Sequence, residues 1–211
     1  MEGRLTWLTI GATAAMLALT GAASAVPIPL TLSAPIDGNI QGPQSTSNPC
    51  IIAGTQCQQP AGFGFNNFIS NGNISSYDMF STTPTGTVLN GVEGNPYTVA
   101  QLTALGSTSF LIAIDVNTTG AKGETLQLFE VIDKTTNTVL YNFVGPADIG
   151  HISNNGNGWA DFTLSTVNLA GLPSTDQILF HAVWNNASDG AESFFLLPGA
   201  VPVPEIGRAH V

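Results

Sequence analysis

Positive charge is almost missing from this chain. Its 211 residues hold 4 lysines and arginines against 14 aspartates and glutamates, a formal net charge of −10. Arg4 and Arg208 lie near the ends, which leaves Lys122 and Lys134 as the cations of the body. A nucleic acid is held by basic side chains that displace its counterions, so the composition argues against that class of partner. Electrostatic adhesion to anionic lipid needs the same side chains and falls with it. Charged residues of both signs make up only 9% of the chain. Solubility must therefore come from Asn, Ser, Thr, Gln and Gly together with the acidic excess, a surface common in exported β-proteins.

Reactive side chains are scarce as well. There are 2 cysteines and 3 histidines. Cys50 and Cys57 flank the stretch IIAGTQ, and in an exported chain such a pair is most simply one disulfide closing a short loop. No neighbouring Cys or His supplies the further ligands of a metal site. His151 and His181 are the histidines outside the tail, and His181, set in a run of apolar residues, reads as a packed or surface histidine. The chain has no Gly-x-Ser-x-Gly elbow, no His-Glu-x-x-His and no phosphate-cradling Gly-rich loop with Lys. Asp161, Asp176, Asp189 and Glu192 offer carboxylates for glycoside chemistry, but nothing in their spacing fixes a pair at working distance. The chain reads as a non-enzyme.

Long apolar runs are absent too. Leu8–Leu19 is short and rich in Ala, Gly and Thr, too weak for a membrane span. With Arg4 before it and Ala23-Ser24-Ala25 after it, Met1–Ala25 reads as a secretory signal cleaved after Ala25. Residues 26–60 carry six of the 13 prolines and form a Pro-rich segment with an edge strand near Leu30–Ser33. Residues 61–198 form the domain, and 199–211 an extended tail.

What the chain does have is strands. Asp176–Pro198 anchors the reading: Ile178, Phe180, Ala182 and Trp184 alternate with Leu179, His181 and Val183, so both faces are largely apolar and both must be covered. Glu192–Leu197 is a second strand, and the polar connection Asn185–Gly190 suits a hairpin-type reversal. Thr108–Val116 places Phe110, Ile112, Ile114 and Val116 on one face. Glu124–Asp133 and Thr138–Val144 make a hairpin across Lys134–Asn137, and Gly145–Gly158 reads as a loop. Trp159–Thr166 buries Ala160, Phe162 and Leu164. Gly62–Ile69, Ser76–Phe80 and Thr87–Asn90 are weaker strands, while Tyr97–Leu105 fits a helical turn as well as a strand. Short strands, short turns and no long helix predict an all-β fold, an antiparallel β-sandwich with a possible jelly-roll arrangement.

Two binding chemistries fit the polar loops. Asn185, Asn186, Asp189 and Glu192 offer hard oxygen ligands for Ca²⁺ within one loop, with Asp115 and Asn117 offering others near a strand end. Asn/Asp/Gly loops are more often plain turns. Tyr141, Trp159 and Trp184 are candidate platforms for a carbohydrate such as an exopolysaccharide, although large aromatics in strands are more often core.

The stretch Gly199–Glu205 (GAVPVPE), with Val201, Pro202, Val203, Pro204 and Glu205, resembles the start of a PEP-CTERM sorting signal. The pieces ETLQLFEVI, HAVWNNASDGAESFF and LLPGAVPVPE are similar to uncharacterised exported bacterial proteins of that class. The resemblance implies processing by an exosortase-type enzyme and association with the cell envelope or extracellular matrix, and it brings no assigned activity. In that class the motif is followed by a membrane-spanning helix and a basic cluster. Here Ile206–Val211 follows instead, and its codons can spell a common sequencing-adaptor string. The expectation is a sorting tail cut short, and neither Arg208 nor His210 receives a role.

Overall fold

The computed structural model describes residues 26–36, 48–52, 76–80, 96–117, 123–150, 158–186 and 192–199. In chain order these hold β1 (Ile28–Pro29), β2 (Cys50–Ile52), β3 (Ser76–Phe80), β4 (Tyr97–Thr98) and the short helix α1 (Val99–Thr103). They continue with β5 (Ser109–Asp115), β6 (Glu124–Asp133), β7 (Thr138–Gly150), β8 (Phe162–Asn168), β9 (Gln177–Asn185) and β10 (Ser193–Pro198). Two sheets result. The larger runs β1-β7-β6-β9-β3 with β4 also on β9, and the smaller runs β2-β10-β5-β8. Their pairings are antiparallel except β1 with β7. The fold is an all-β sandwich.

Alternation on the central strands builds the core. Phe110, Ile112 and Ile114 of β5 and Phe194 and Leu196 of β10 meet Phe129, Val131, Phe180, Ala182 and Trp184 of the larger sheet in one buried cluster. Phe194 is the hinge-pin of this contact. Its ring stacks on Phe129 at 5.2 Å and takes the Trp184 indole edge-on at 6.1 Å. Burying each such side chain contributes about 1.5–3 kcal/mol, and each aromatic pair adds about 0.5–1.5 kcal/mol. The intervening residues on the smaller sheet, Ala113 of β5 and Phe195 and Leu197 of β10, form a second buried cluster with Cys50 and Ala160. Central strands apolar on both faces are thus covered on both, as the alternation requires.

Three sequence expectations change. Ile178–Trp184 and Glu192–Leu197 are not partners in a hairpin. β9 pairs with β3, β4 and β6, whereas β10 pairs with β2 and β5, so the two strands lie in different sheets. The physical reason is that two strands this apolar bury more surface facing each other than side by side. The loop expected over Gly145–Gly158 begins later, because β7 continues to Gly150. It does so through a bulge opposite Leu126–Leu128. Gly145 sits there without a side chain, since a Cβ would run into the carbonyl oxygens of Leu126 and Gln127. The Pro-rich segment set apart over 26–60 contributes β1 and β2 to the two sheets of the sandwich.

Other expectations stand as found. The Lys134–Asn137 turn closes β6 on β7, held by the Asp133 carboxylate, which accepts from Thr135 N, Thr136 N and the Thr136 hydroxyl. Tyr97–Leu105 splits into a strand and a helical turn. Thr98 caps α1 in a reciprocal box with Gln101, and Val99 and Leu102 are its buried contacts. The strand expected over Ser76–Phe80 is β3. Those over Gly62–Ile69 and Thr87–Asn90 lie outside the described residues.

The edge strand expected near Leu30–Ser33 does more than pair once. β1 lies parallel on β7 of the larger sheet, and Leu30 N donates to Asn142 O at 2.6 Å. The chain then crosses to the smaller sheet. Leu32 bridges Leu164, Ser165 N donates to Thr31 O, Ser33 N donates to Thr163 O and Ile36 N donates to Asp161 O. Residues 28–36 form a strap that occupies the edge of both sheets, with Leu30 buried between them.

Candidate functional site

Strand register brings the end of β5, the start of β6, the end of β9 and the starts of β8 and β10 to one end of the sandwich. Asp115 ends β5, Glu124 opens β6, Asn185 ends β9 and Glu192 precedes β10, while Asp161 immediately precedes β8. Four of these are buried carboxylates: Asp115 and Asp161 are each 4% exposed, and Glu124 and Glu192 are fully enclosed. Buried charge is costly unless it is compensated, so each group's surroundings decide what it can do.

Asp115 and Asp161 tie β5 to β8 in both directions. The Val116 N–H donates to Asp161 Oδ2 at 2.7 Å, and the Gly158 N–H donates to Asp115 Oδ2 at 3.0 Å. The other oxygen of Asp115, Oδ1, is buried and meets no hydrogen-bond partner among the described residues. Burial first, and then the neighbouring Asp161 charge, raise the Asp115 carboxyl from 3.8 to about 7, against the opposing effect of the Gly158 N–H. Asp115 is therefore a carboxyl that keeps its proton to near neutrality beside a second carboxylate. Chemically, such a pair shares a proton or attracts a hard cation.

Glu124 is used differently. By alternation it shares the inward face of β6 with Leu126, and its Oε2 accepts from Trp184 Nε1 at 2.8 Å. The indole is wholly enclosed. Trp184 is therefore withdrawn from the carbohydrate platform expected of it. Tyr141 is withdrawn too. It is 7% exposed, and its hydroxyl donates to Asn168 O at 2.9 Å and accepts from Asn168 N at 3.1 Å. Since β7 and β8 belong to different sheets, that hydroxyl joins the two layers. Trp159 is half-buried. The reason is common to both corrected aromatics: a polar tip on a large apolar body is well spent satisfying a buried partner.

The expected calcium loop is only partly visible. Asn185 is half-buried, Asn186 is exposed with φ 65°, and Asp189 lies outside the described residues. Asn117 is half-buried beyond β5. Among the described residues no three acidic, histidine or cysteine side chains converge as a metal group. Of the acids considered for glycoside chemistry, Asp176 sits before β9, at the far end of the sandwich from Asp161 and Glu192. His181 meets Glu130 across the β6–β9 pair, with Nδ1 and Oε2 2.7 Å apart.

Cys50 is wholly buried in β2 and is not a free thiol. Cys57, His151 and the sorting-motif residues Val201, Pro202, Val203, Pro204 and Glu205 lie outside the described residues. The pairing of Asp115 with Asp161 is the site feature that sequence reasoning missed. Each acid is visible in sequence, but only the β5–β8 register sets them side by side. No protein-family profile matches the chain, and no curated protein and no solved structure is significantly similar to it.

Proposed function

We propose that this chain is an exported, non-enzymatic β-sandwich that serves the cell envelope or extracellular matrix as a structural or interaction module. One observation carries the reading: three of the side chains suited to ligand chemistry are bound to the protein itself. Trp184 serves Glu124, Tyr141 serves the Asn168 backbone, and Asp161 serves the Val116 N–H. Export supplies the oxidising setting in which Cys50 pairs with Cys57. Cleavage after Ala25 leaves the strap at the start of the mature chain, and the Val201–Glu205 motif is the handle for an exosortase-type enzyme. Immunolocalisation and fractionation of the source cells test this. Recovery in the envelope or matrix fraction is expected, and recovery in the cytoplasm would sink it.

A second reading, a calcium-stabilised module of the carbohydrate-binding kind, is favoured by Asp115 Oδ1, which meets no partner among the described residues and lies beside Asp161. It requires a melting temperature that falls on chelation and returns with Ca²⁺. It also requires retention on polysaccharide that Trp159→Ala abolishes. A melting temperature indifferent to chelator, with blank glycan arrays, leaves the structural reading alone.

A further inference from the structure

The strap is the first described element, and the site it fills is made entirely by other parts of the chain. That site has two walls, the edge of β7 in the larger sheet and the edge of β8 in the smaller one. Its recognition is largely main chain: Leu30 N to Asn142 O, Ser165 N to Thr31 O, Ser33 N to Thr163 O and Ile36 N to Asp161 O. Side chains fix the register. The Ser165 hydroxyl accepts from Thr31 N at 3.0 Å, the Ser33 hydroxyl accepts from Thr163 N at 2.9 Å, and Leu30 plugs the gap between the layers. Any copy of this chain carries the same strap and the same site.

Three features make the strap separable from its own sandwich. Its regular pairing is short, two residues on β7 and a single bridge on β8. Apolar side chains stand in solvent along the same edge: Val26 is 88% exposed, Ile28 55% and Val144 on β7 69%. Residues 37–47, which join strap to β2, include Gly38, Gly42 and Pro43. From the strap to β2 is four strand spacings across the smaller sheet, about 19 Å. The eleven connecting residues reach about 36–40 Å when extended. The connection is therefore long enough to deliver the strap beyond its own sheet.

We infer that residues 28–36 exchange between copies, the strap of one chain completing the β7 and β8 edges of a second. The partner is another molecule of this protein. Each exchanged strap makes the contacts it makes at home, so the cost lies in opening rather than in the final pairing. Strap donation that closes reciprocally gives a dimer. Donation passed from chain to chain gives a linear assembly, which leaves no edge of this side unpaired.

The test mixes two full-chain variants in a background lacking Cys50 and Cys57. One carries Ser33→Cys and the other Thr163→Cys, positions opposite each other beside the Leu32–Leu164 bridge. Neither variant can cross-link within itself at that pair. Exchange predicts an interchain disulfide that peptide mapping places at 33–163, with a yield that rises with protein concentration. It also predicts that a mixture of Ser33→Cys with Thr135→Cys, on the distant turn, gives no such product. The double variant Ser33→Cys/Thr163→Cys checks that the strap is seated. If it closes only within one chain at every concentration, and the mixture yields no 33–163 peptide, exchange is overturned. If the double variant does not close at all, the strap is not seated on β8, and the inference fails with it.

Discussion

Trp184 donates its indole N–H to Glu124 Oε2 across 2.8 Å, and neither side chain reaches solvent. A tryptophan that looked like a sugar platform is instead the donor to a buried carboxylate. Trp184→Phe keeps most of the apolar contact with Phe194 but removes that donor. The expected loss is about 1–3 kcal/mol, the cost of leaving a buried acceptor without its donor. Glu124→Gln keeps an acceptor for the indole and should cost less. Urea melts of the two variants check the order, and a neutral Trp184→Phe would show that the bond is not needed.

Asp115 predicts an unusual pH dependence. Its carboxyl is raised from 3.8 to about 7 in the folded chain. The folded state therefore holds a proton that the unfolded state has already released. Stability contributed here is full below about pH 4, falls as pH rises towards 7 and levels off above it. The size of the fall is on the order of 2–4 kcal/mol. Asp115→Asn retains an acceptor for the Gly158 N–H and cannot ionise. Wild type and variant should converge near pH 4, with the variant gaining as pH rises to 8. A difference that does not change with pH would remove Asp115 as the source.

Much of the fold was legible because burial imposes period two. Phe110, Ile112 and Ile114 declared one inward face, and the doubly apolar Ile178–Trp184 declared a strand covered on both sides. Sheet membership was not legible. The Asn185–Gly190 turn chemistry is the same whether the next strand lies alongside or opposite, and only the summed packing of Trp184, Phe194 and Phe129 decides. The same limit hid the site. Asp115 and Asp161 are 46 positions apart in number, and nothing local marks them as neighbours. Side-chain tips were also opaque, because the Tyr141 hydroxyl finds its partner on the other sheet.

That hydroxyl gives the next prediction. Tyr141→Phe removes both hydrogen bonds to the Asn168 backbone while leaving the ring in place. About 1–2 kcal/mol should be lost, with hydrogen exchange at the Asn168 amide quickened. If polysaccharide retention exists and Tyr141→Phe leaves folding untouched while abolishing it, the inter-sheet role is wrong.

Cys50 and Cys57 should be found bridged in protein recovered from the envelope or matrix fraction that the proposed function predicts. Thiol titration after denaturation without reductant is expected to find essentially no free thiol. Reduction should cost only about 2 kcal/mol, because the closed loop is short and constrains little of the unfolded chain. Two titratable thiols would reject the pairing.

The two ends of the sandwich chain should respond oppositely to removal. Leu30 is 5% exposed between the sheets, and the residues around it supply main-chain bonds to both. Leu30→Ala should cost about 2–5 kcal/mol, the range for emptying a buried leucine site. Deleting residues 26–36 should cost more, because it also uncovers the β7 and β8 edges. The tail is different in kind. Gly199 N still donates to Ser109 O, but Gly199 itself is exposed, and the Val-Pro-Val-Pro pattern beyond it favours an extended chain poor in hydrogen bonds. Deleting residues 200–211 should leave the melting temperature within about 2 °C of the parent, the shift expected for under about 0.5 kcal/mol. Thermal melts of Leu30→Ala and of the tail deletion, side by side, decide it. If the tail deletion is the more damaging, the motif is packed into the sandwich and is not an accessible sorting handle.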